Sequence, residues 1–325
     1  MHLIDIVRQS PRQLVMPLMG FPGTQLTHST IWQNIFNSEL QSRTIHALVE
    51  RFEPDGAFFM MDLAVEAGAI GLPITFSLHE SPTVSEHPIH RIADLEQFRV
   101  LDPLCDGRVR AYLDVMHRMQ DMEILTGAYV TGPFTLAGLM IGATEIAMAT
   151  VDDPELVHAA ADFALDVVVP YAKALTEAGA DLVCILEPTA MFLSPPAFRT
   201  FSGAYVSRLV DALDATTLLH ICGNTAHLVD GMCETGIDGL SLDAPMDFPA
   251  TAAQIPEDVI LVGNVDPVAV MSQRSPDDVR AAADHLLTRM APYPNFILST
   301  GCDLPPETPL ENIQALMDIG RRKPA

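Results

Sequence analysis

The sequence predicts an α/β protein, a (β/α)8 TIM barrel built as one domain over residues 1–325. Three observations carry that expectation. Short apolar runs rich in Val, Ile and Leu recur along the chain, as parallel strands buried on both faces require. Segments with helical periodicity separate them. Each run ends in polar residues or in Gly and Pro, the chemistry expected where barrel strands open into the loops of the mouth.

The first run, 14–19 (LVMPLM), leads into Gly20-Phe21-Pro22. The second, 57–62 (AFFMMD), ends at Asp62 and opens a long excursion, about 63–125, predicted to lie over the barrel mouth. Within it, SLHESPTVSEHPIHR carries His79, His87 and His90, which fit a polar lid better than a second metal site. Run 128–131 precedes Gly132-Pro133, and a helical segment at 154–178 follows, with Pro170 expected to kink it. Run 181–186 ends at Glu187-Pro188 and is followed by a helical segment at 195–213. Run 217–222 ends in Gly223-Asn224, run 239–243 in Asp243, and run 259–262 precedes Gly263-Asn264. A helix at 276–290 leads to the last run, 296–300, which is followed by Gly301-Cys302-Asp303. Pro or Asp-Pro at the start of several helical segments is a helix-start signal. An open doubly wound sheet fits less well, because no Gly-rich phosphate loop follows the first strand.

Composition narrows the function. The chain is 49% hydrophobic, enough for a sizeable core, and carries 42 acidic against 18 basic residues, a net charge of -24. Lys173 and Lys323 are its two lysines. Nucleic acid and anionic membranes both need basic clusters, so neither is an expected partner. No basic segment followed by an apolar run opens the sequence, and no apolar stretch reaches about 18 residues. The reading is a cytoplasmic protein. Five scattered cysteines do not form a disulfide framework. Cys105, Cys184 and Cys233 are assigned to packing.

The remaining two cysteines carry chemistry. His220 and Cys222 lie two apart at the end of the fifth run, and strand alternation aims both into the same bowl. Cys302 follows the eighth run and lines the same mouth. One imidazole and two thiolates suit Zn²⁺, and three ligands leave a position open, as in catalytic zinc sites. Taken on spacing alone, the same residues also fit a buried histidine with two buried thiols. Glu187 is a candidate fourth ligand, or an acceptor for an imidazole N–H, or a simple strand-end cap. Asp62 and Glu66 open the excursion. Asp243 and Asn264 are weaker candidates for the lining, and Asp303 is a candidate neighbour of a ligand.

These residues carry a resemblance. LLHICGNT at 218–225 and ILSTGCDLPPETPLENI at 297–313 are similar to the zinc methyltransferases of the uroporphyrinogen decarboxylase superfamily. More narrowly, they resemble its methylcobamide:coenzyme M methyltransferases. MMDLAVEAGAIG at 60–71, TGPFTLA at 131–137 and ADLVCILEP at 180–188 extend the similarity through most of the chain. The His-x-Cys pattern with a distant Cys is its specific part; GPFTLA marks the superfamily in general. The resemblance implies one Zn²⁺ held by His220, Cys222 and Cys302, a methylcorrinoid carried by a partner corrinoid protein, and a small thiol acceptor such as coenzyme M. It aligns Asp62 with an Asp that contacts pyrrole N–H groups in the decarboxylases, and so makes Asp62 a candidate catalytic contact.

Three alternatives stand beside this expectation. A uroporphyrinogen decarboxylase must neutralise a polycarboxylate, yet loop 20–30 (GFPGTQLTHST) has no Arg or Lys, and Gly138-Leu139-Met140 stand where its Tyr is expected. A non-catalytic metal-binding accessory subunit would not need an open coordination position. A corrinoid-linked methyltransferase with another acceptor, a different thiol or tetrahydrofolate, uses the same residues.

Overall fold

The computed structural model describes residues 3–98 and 102–322. Lys323, the other terminal residues and part of the predicted excursion, 99–101, lie outside the described residues. Among the described residues nine strands form: β1 (Gly56–Phe58), β2 (Ile74–Thr75), β3 (Thr83–Val84), β4 (Leu125–Thr131), β5 (Leu182–Leu186), β6 (Thr216–Ile221), β7 (Gly239–Leu242), β8 (Ile260–Val265) and β9 (Phe296–Thr300). Seven make one curled parallel sheet in the order β1-β4-β5-β6-β7-β8-β9, while β2 and β3 pair antiparallel on their own. Strands β5, β7 and β9 are buried throughout, which is why their sequences read as continuous apolar runs rather than alternating ones.

The first predicted run differs from the other seven. It contributes a single parallel bridge, Val15 to Leu298, rather than a ladder strand. Met16 N–H donates to the Leu298 carbonyl at 2.9 Å and Leu298 N–H to the Leu14 carbonyl at 3.0 Å. On the other side, Asp55 N–H donates to the Val15 carbonyl at 3.0 Å, but Val15 N–H turns to the Asp55 carboxylate at 2.7 Å. Beyond it the next two ladder groups go to side chains, the Met16 carbonyl accepting from the Ser299 hydroxyl at 2.7 Å and Leu18 N–H donating to Thr300 Oγ1 at 3.1 Å, so pairing with β9 lapses after one bridge. The expected eighth strand is therefore an extended segment lodged between β9 and the entry to β1.

Helices cover the sheet where the sequence places their start signals. Asp153 accepts from Leu156 N–H and Ser275 forms a capping box with Asp278, each directly before a Pro at the first helical turn. The helix Pro154–Glu177 continues through Pro170. Among the described residues no single helix is long and apolar enough to cross a membrane. Pro133–Ile141 and Ala143–Asp152 reach that length only as a pair bent by 102°, and the first of them is buried in the core. The predicted excursion holds the β2–β3 hairpin, two 3-10 turns and the helix Gly107–Met119, with His79, His87 and His90 exposed.

Candidate metal centre

His220 and Cys222 stand at the C-terminal end of β6, and Cys302 lies two residues beyond the end of β9. The curl of the sheet brings the three together. His220 Nε2 is 3.1 Å from Cys222 Sγ and 3.6 Å from Cys302 Sγ, and the two sulfurs are 3.7 Å apart. Among the described residues this is the one group of three or more His, Cys, Asp or Glu side chains spaced to hold a metal. The spacing can be compared with zinc chemistry. Bonds of about 2.3 Å to sulfur and 2.0 Å to nitrogen in a tetrahedron give edges of about 3.8 Å (S to S) and 3.5 Å (S to N). Two observed edges match these closely, and the third is shorter by a few tenths of an ångström.

One carboxylate stands between the two cysteine loops. Asp243, at the end of β7, accepts from Gly223 N–H at 2.8 Å, directly after Cys222. On its other side lies Gly301, directly before Cys302, where an added Cβ would fall 2.6 Å from Ala244 N and 3.0 Å from Asp243 Oδ1. Gly223 itself has φ of 82°, the left-handed region that favours glycine. Asn264 donates to the backbone carbonyls of Asp243 and Met246, at 3.1 and 2.9 Å, and so holds the turn that carries Asp243. Asp243 and Asn264 thus brace the two cysteine loops.

Burial lowers the His220 pKa, but contact with Cys302 and the charge of Asp243 more than offset it and leave it above its ordinary value. The hydrogen bond between the thiols raises Cys302, with burial adding to it, while the same bond holds Cys222 below the usual thiol value. Asp303 is half-buried, and its carboxyl is pushed well above the ordinary range, by desolvation first and then by Cys302. It accepts from Leu304 N–H at 2.9 Å.

Glu187 is not brought into this group. Its carboxylate accepts from Phe134 N–H at 3.0 Å, Thr135 N–H at 2.8 Å and the Ser202 hydroxyl at 2.9 Å. It sits at the positive N-terminal end of the helix Pro133–Ile141, where an anion is favoured. An added Cβ on Gly132 would lie 2.2 Å from Glu187 Oε2. Of the roles the sequence allowed, the capping one describes the geometry. The GPFTLA motif is its physical counterpart: a glycine that leaves room, a proline at the first turn and two free N–H groups.

Asp62 is likewise committed elsewhere. Its buried carboxylate meets the Arg108 guanidinium, the Tyr112 hydroxyl at 3.2 Å and Ala64 N–H at 2.8 Å. Burial raises its pKa, and Arg108 opposes that shift most strongly. Glu66 accepts from the Thr131 backbone N–H at 2.7 Å and from its hydroxyl at 2.9 Å. Burial pushes the Glu66 carboxyl up to about 7. Of the three cysteines assigned to packing, Cys184 is buried in β5 and Cys233 packs against the core. Cys105 is exposed, a correction to its assignment. It lies in a one-turn 3-10 helix of the excursion, with its thiol 3.5 Å from Asp102.

Sequence reasoning missed Ser241. It lies opposite His220 in the parallel pairing of β6 and β7, and its hydroxyl is 3.0 Å from His220 Nδ1. The available signal was a lone hydroxyl in the apolar strand Gly239–Leu242. Register, which the sequence does not print, was needed to use it.

The family model described as uroporphyrinogen decarboxylase (URO-D) matches residues 13–322. The chain belongs to this family. It is 32% identical over 269 residues to the methylcobamide:CoM methyltransferase MtbA of Methanosarcina acetivorans, covering 80% of this chain and 77% of that one. It is 29% identical over 284 residues to the uroporphyrinogen decarboxylase of Alkalilimnicola ehrlichii, covering 83% and 77%. A solved structure of a methyltransferase from Methanosarcina mazei matches with a TM-score of 0.89 at 25% identity, over 98% of this chain and 96% of that one. The family therefore contains both activities named among these relatives.

Proposed function

We propose that this URO-D family chain is a zinc-dependent methyltransferase that moves a methyl group from a protein-bound methylcorrinoid to a small thiol such as coenzyme M. The observation that carries the proposal is the donor set itself: one imidazole and two thiols at tetrahedral spacing. The relatives named methylcobamide:CoM methyltransferases support the reaction class. The absence of Arg and Lys from loop 20–30 separates this chain from the polycarboxylate chemistry of the decarboxylases.

His220, Cys222 and Cys302 would hold the ion, leaving one of four tetrahedral positions for substrate. Bound there, zinc would supply deprotonation of the acceptor thiol at neutral pH, where a free thiol with a pKa of about 8.5 is mostly protonated. The two cysteine thiolates offset the charge of a divalent ion, an arrangement suited to a nucleophilic sulfur rather than to activating water. Asp243 and Asn264 keep both cysteine loops in register while substrate enters. In the transfer itself the acceptor thiol loses its proton and its sulfur forms the S–CH3 bond. The Co–C bond breaks with its electron pair remaining on cobalt.

Three finer readings belong to the same proposal. Residues 14–19 close the seven-stranded sheet into an eightfold barrel, through the Val15 bridge on one side and Asp55 on the other. The chain acts as one domain in the cytoplasm, with neither nucleic acid nor membrane as a partner. Its macromolecular partner is the corrinoid protein that delivers the methyl group.

The test is metal analysis of the purified chain followed by an assay with methylcob(III)alamin and a panel of acceptors: coenzyme M, other small thiols and tetrahydrofolate. Zinc near one equivalent and methylation of a thiol are expected. A zinc-replete preparation that methylates none of them overturns the activity and leaves a metal-binding subunit.

A further inference from the structure

We infer that Ser241 is a positioning residue of the metal centre, its hydroxyl holding His220 as the tautomer whose Nε2 lone pair faces the cation. The inference rests on the zinc reading above and extends it to a residue outside the ligand set.

Parallel pairing places Ser241 of β7 directly opposite His220 of β6, so both side chains project from the same face of the sheet. Both residues are buried, at 2% and 1% exposure. The imidazole is therefore out of reach of bulk water, and its two nitrogens must find partners within the protein. Nδ1 lies 3.0 Å from Ser241 Oγ, while Nε2 faces the two sulfurs at 3.1 and 3.6 Å. A neutral imidazole has one N–H and one lone pair. With Ser241 accepting from Nδ1–H, the lone pair falls on Nε2, toward the centre of the three donors. The opposite tautomer would aim a proton at the place a cation must occupy. Glu187, the residue the sequence offered for this task, is already occupied by the helix Pro133–Ile141.

The chemistry of Ser241 points the same way. It stands between the buried Leu240 and Leu242, where a hydroxyl costs free energy unless it is hydrogen-bonded. A metal-bound histidine characteristically donates its second N–H to such a partner, which fixes both tautomer and ring orientation.

The test uses the full chain and reads metal affinity by chelator competition, together with the absorption spectrum of the cobalt(II)-substituted protein. Ser241→Ala is expected to weaken zinc binding about 10- to 100-fold and to alter the cobalt spectrum, with the folded circular dichroism retained. Ser241→Thr, which keeps the hydroxyl, should stay within a few-fold of the parent. Should Ser241→Ala fail to fold, the near-isosteric pair Ser241→Thr and Ser241→Val makes the same comparison, with Val expected to bind zinc more weakly. Zinc affinity within about twofold of the parent and an unchanged cobalt spectrum for the hydroxyl-free variant overturn the inference. Cys222→Ala separates the two levels. If that variant keeps its zinc, the metal reading itself falls; if it loses zinc while Ser241→Ala does not, only the role of Ser241 falls.

Discussion

Two polar clusters lie near the C-terminal ends of the strands, and they are built on opposite principles. At the ends of β6 and β9, His220, Cys222 and Cys302 turn their donor atoms toward one another, with the Ser241 hydroxyl behind His220. Near the ends of β1 and β4, Asp62 and Glu66 are surrounded by hydrogen-bond donors: Arg108, Tyr112 and Ala64 N–H for one, the Thr131 hydroxyl and N–H for the other. Glu187, at the end of β5, follows the second pattern. The contrast separates two kinds of polar strand end in this sheet. A polar strand end is a candidate site when its side chains turn their donor atoms toward one another, and a structural joint when surrounding donors from the rest of the protein already satisfy it.

Substitutions can break this comparison. The largest effect is expected from Cys222→Ala. Removing a ligand should cost at least about 100-fold in zinc affinity and abolish methyl transfer, while the melting temperature of the metal-free protein stays close to that of the metal-free parent. Zinc analysis and turnover on one preparation check this. Asp62→Ala should do the reverse, leaving the zinc donors intact but stranding the Arg108 guanidinium in a buried site. Breaking a buried pair costs about 3–5 kcal/mol, to be read as a shift in urea midpoint. A variant of unchanged stability that has lost activity would move Asp62 back among the catalytic contacts.

A smaller effect is expected from Glu187→Gln, which keeps one carbonyl oxygen for the helix N-terminus and loses the charge. A loss of about 1–3 kcal/mol, with zinc content unchanged, would mark it as a joint. Loss of zinc at unchanged stability would instead make it a ligand. The subtlest comparison is with pH. The folded-state pKa of Glu66 is raised to about 7 from 4.5. Between those values the folded protein keeps a proton that the unfolded chain releases. The stability linked to this group is therefore fully present below pH 4.5 and is lost as pH rises to about 7, at up to roughly 1.4 kcal/mol per pH unit. Denaturation of the parent and of Glu66→Gln across that window isolates the term: the difference between them should grow with pH in favour of Gln and level off above pH 7. A constant difference would mean that Glu66 is already ionised in the folded state throughout.

Much of this was legible in the sequence. Seven of the eight apolar runs became strands of the sheet, because a strand buried on both faces writes itself as a continuous apolar run. The eighth looked equivalent in composition, but the hydroxyls of Ser299 and Thr300 take the Met16 carbonyl and the Leu18 N–H that a longer ladder would need. His220, Cys222 and Cys302 were legible because their chemistry is unusual at any position. The carboxylates were not. Asp62, Glu187 and Asp243 look alike on the page, and what separates them is the set of donors around each, drawn from residues distant in sequence. Ser241 was invisible for the related reason that its meaning depends on which residue of the neighbouring strand it faces.

The contact between Gly132 and Glu187 has a consequence for anyone mapping this protein genetically. The carboxylate occupies the space where a side chain on Gly132 would begin. Even an alanine there must displace the acid from the N–H groups of Phe134 and Thr135, so the two positions form a single mutational unit. A saturation library at 132 should reproduce the stability defects of one at 187, and combining a defect at each should cost little more than either alone.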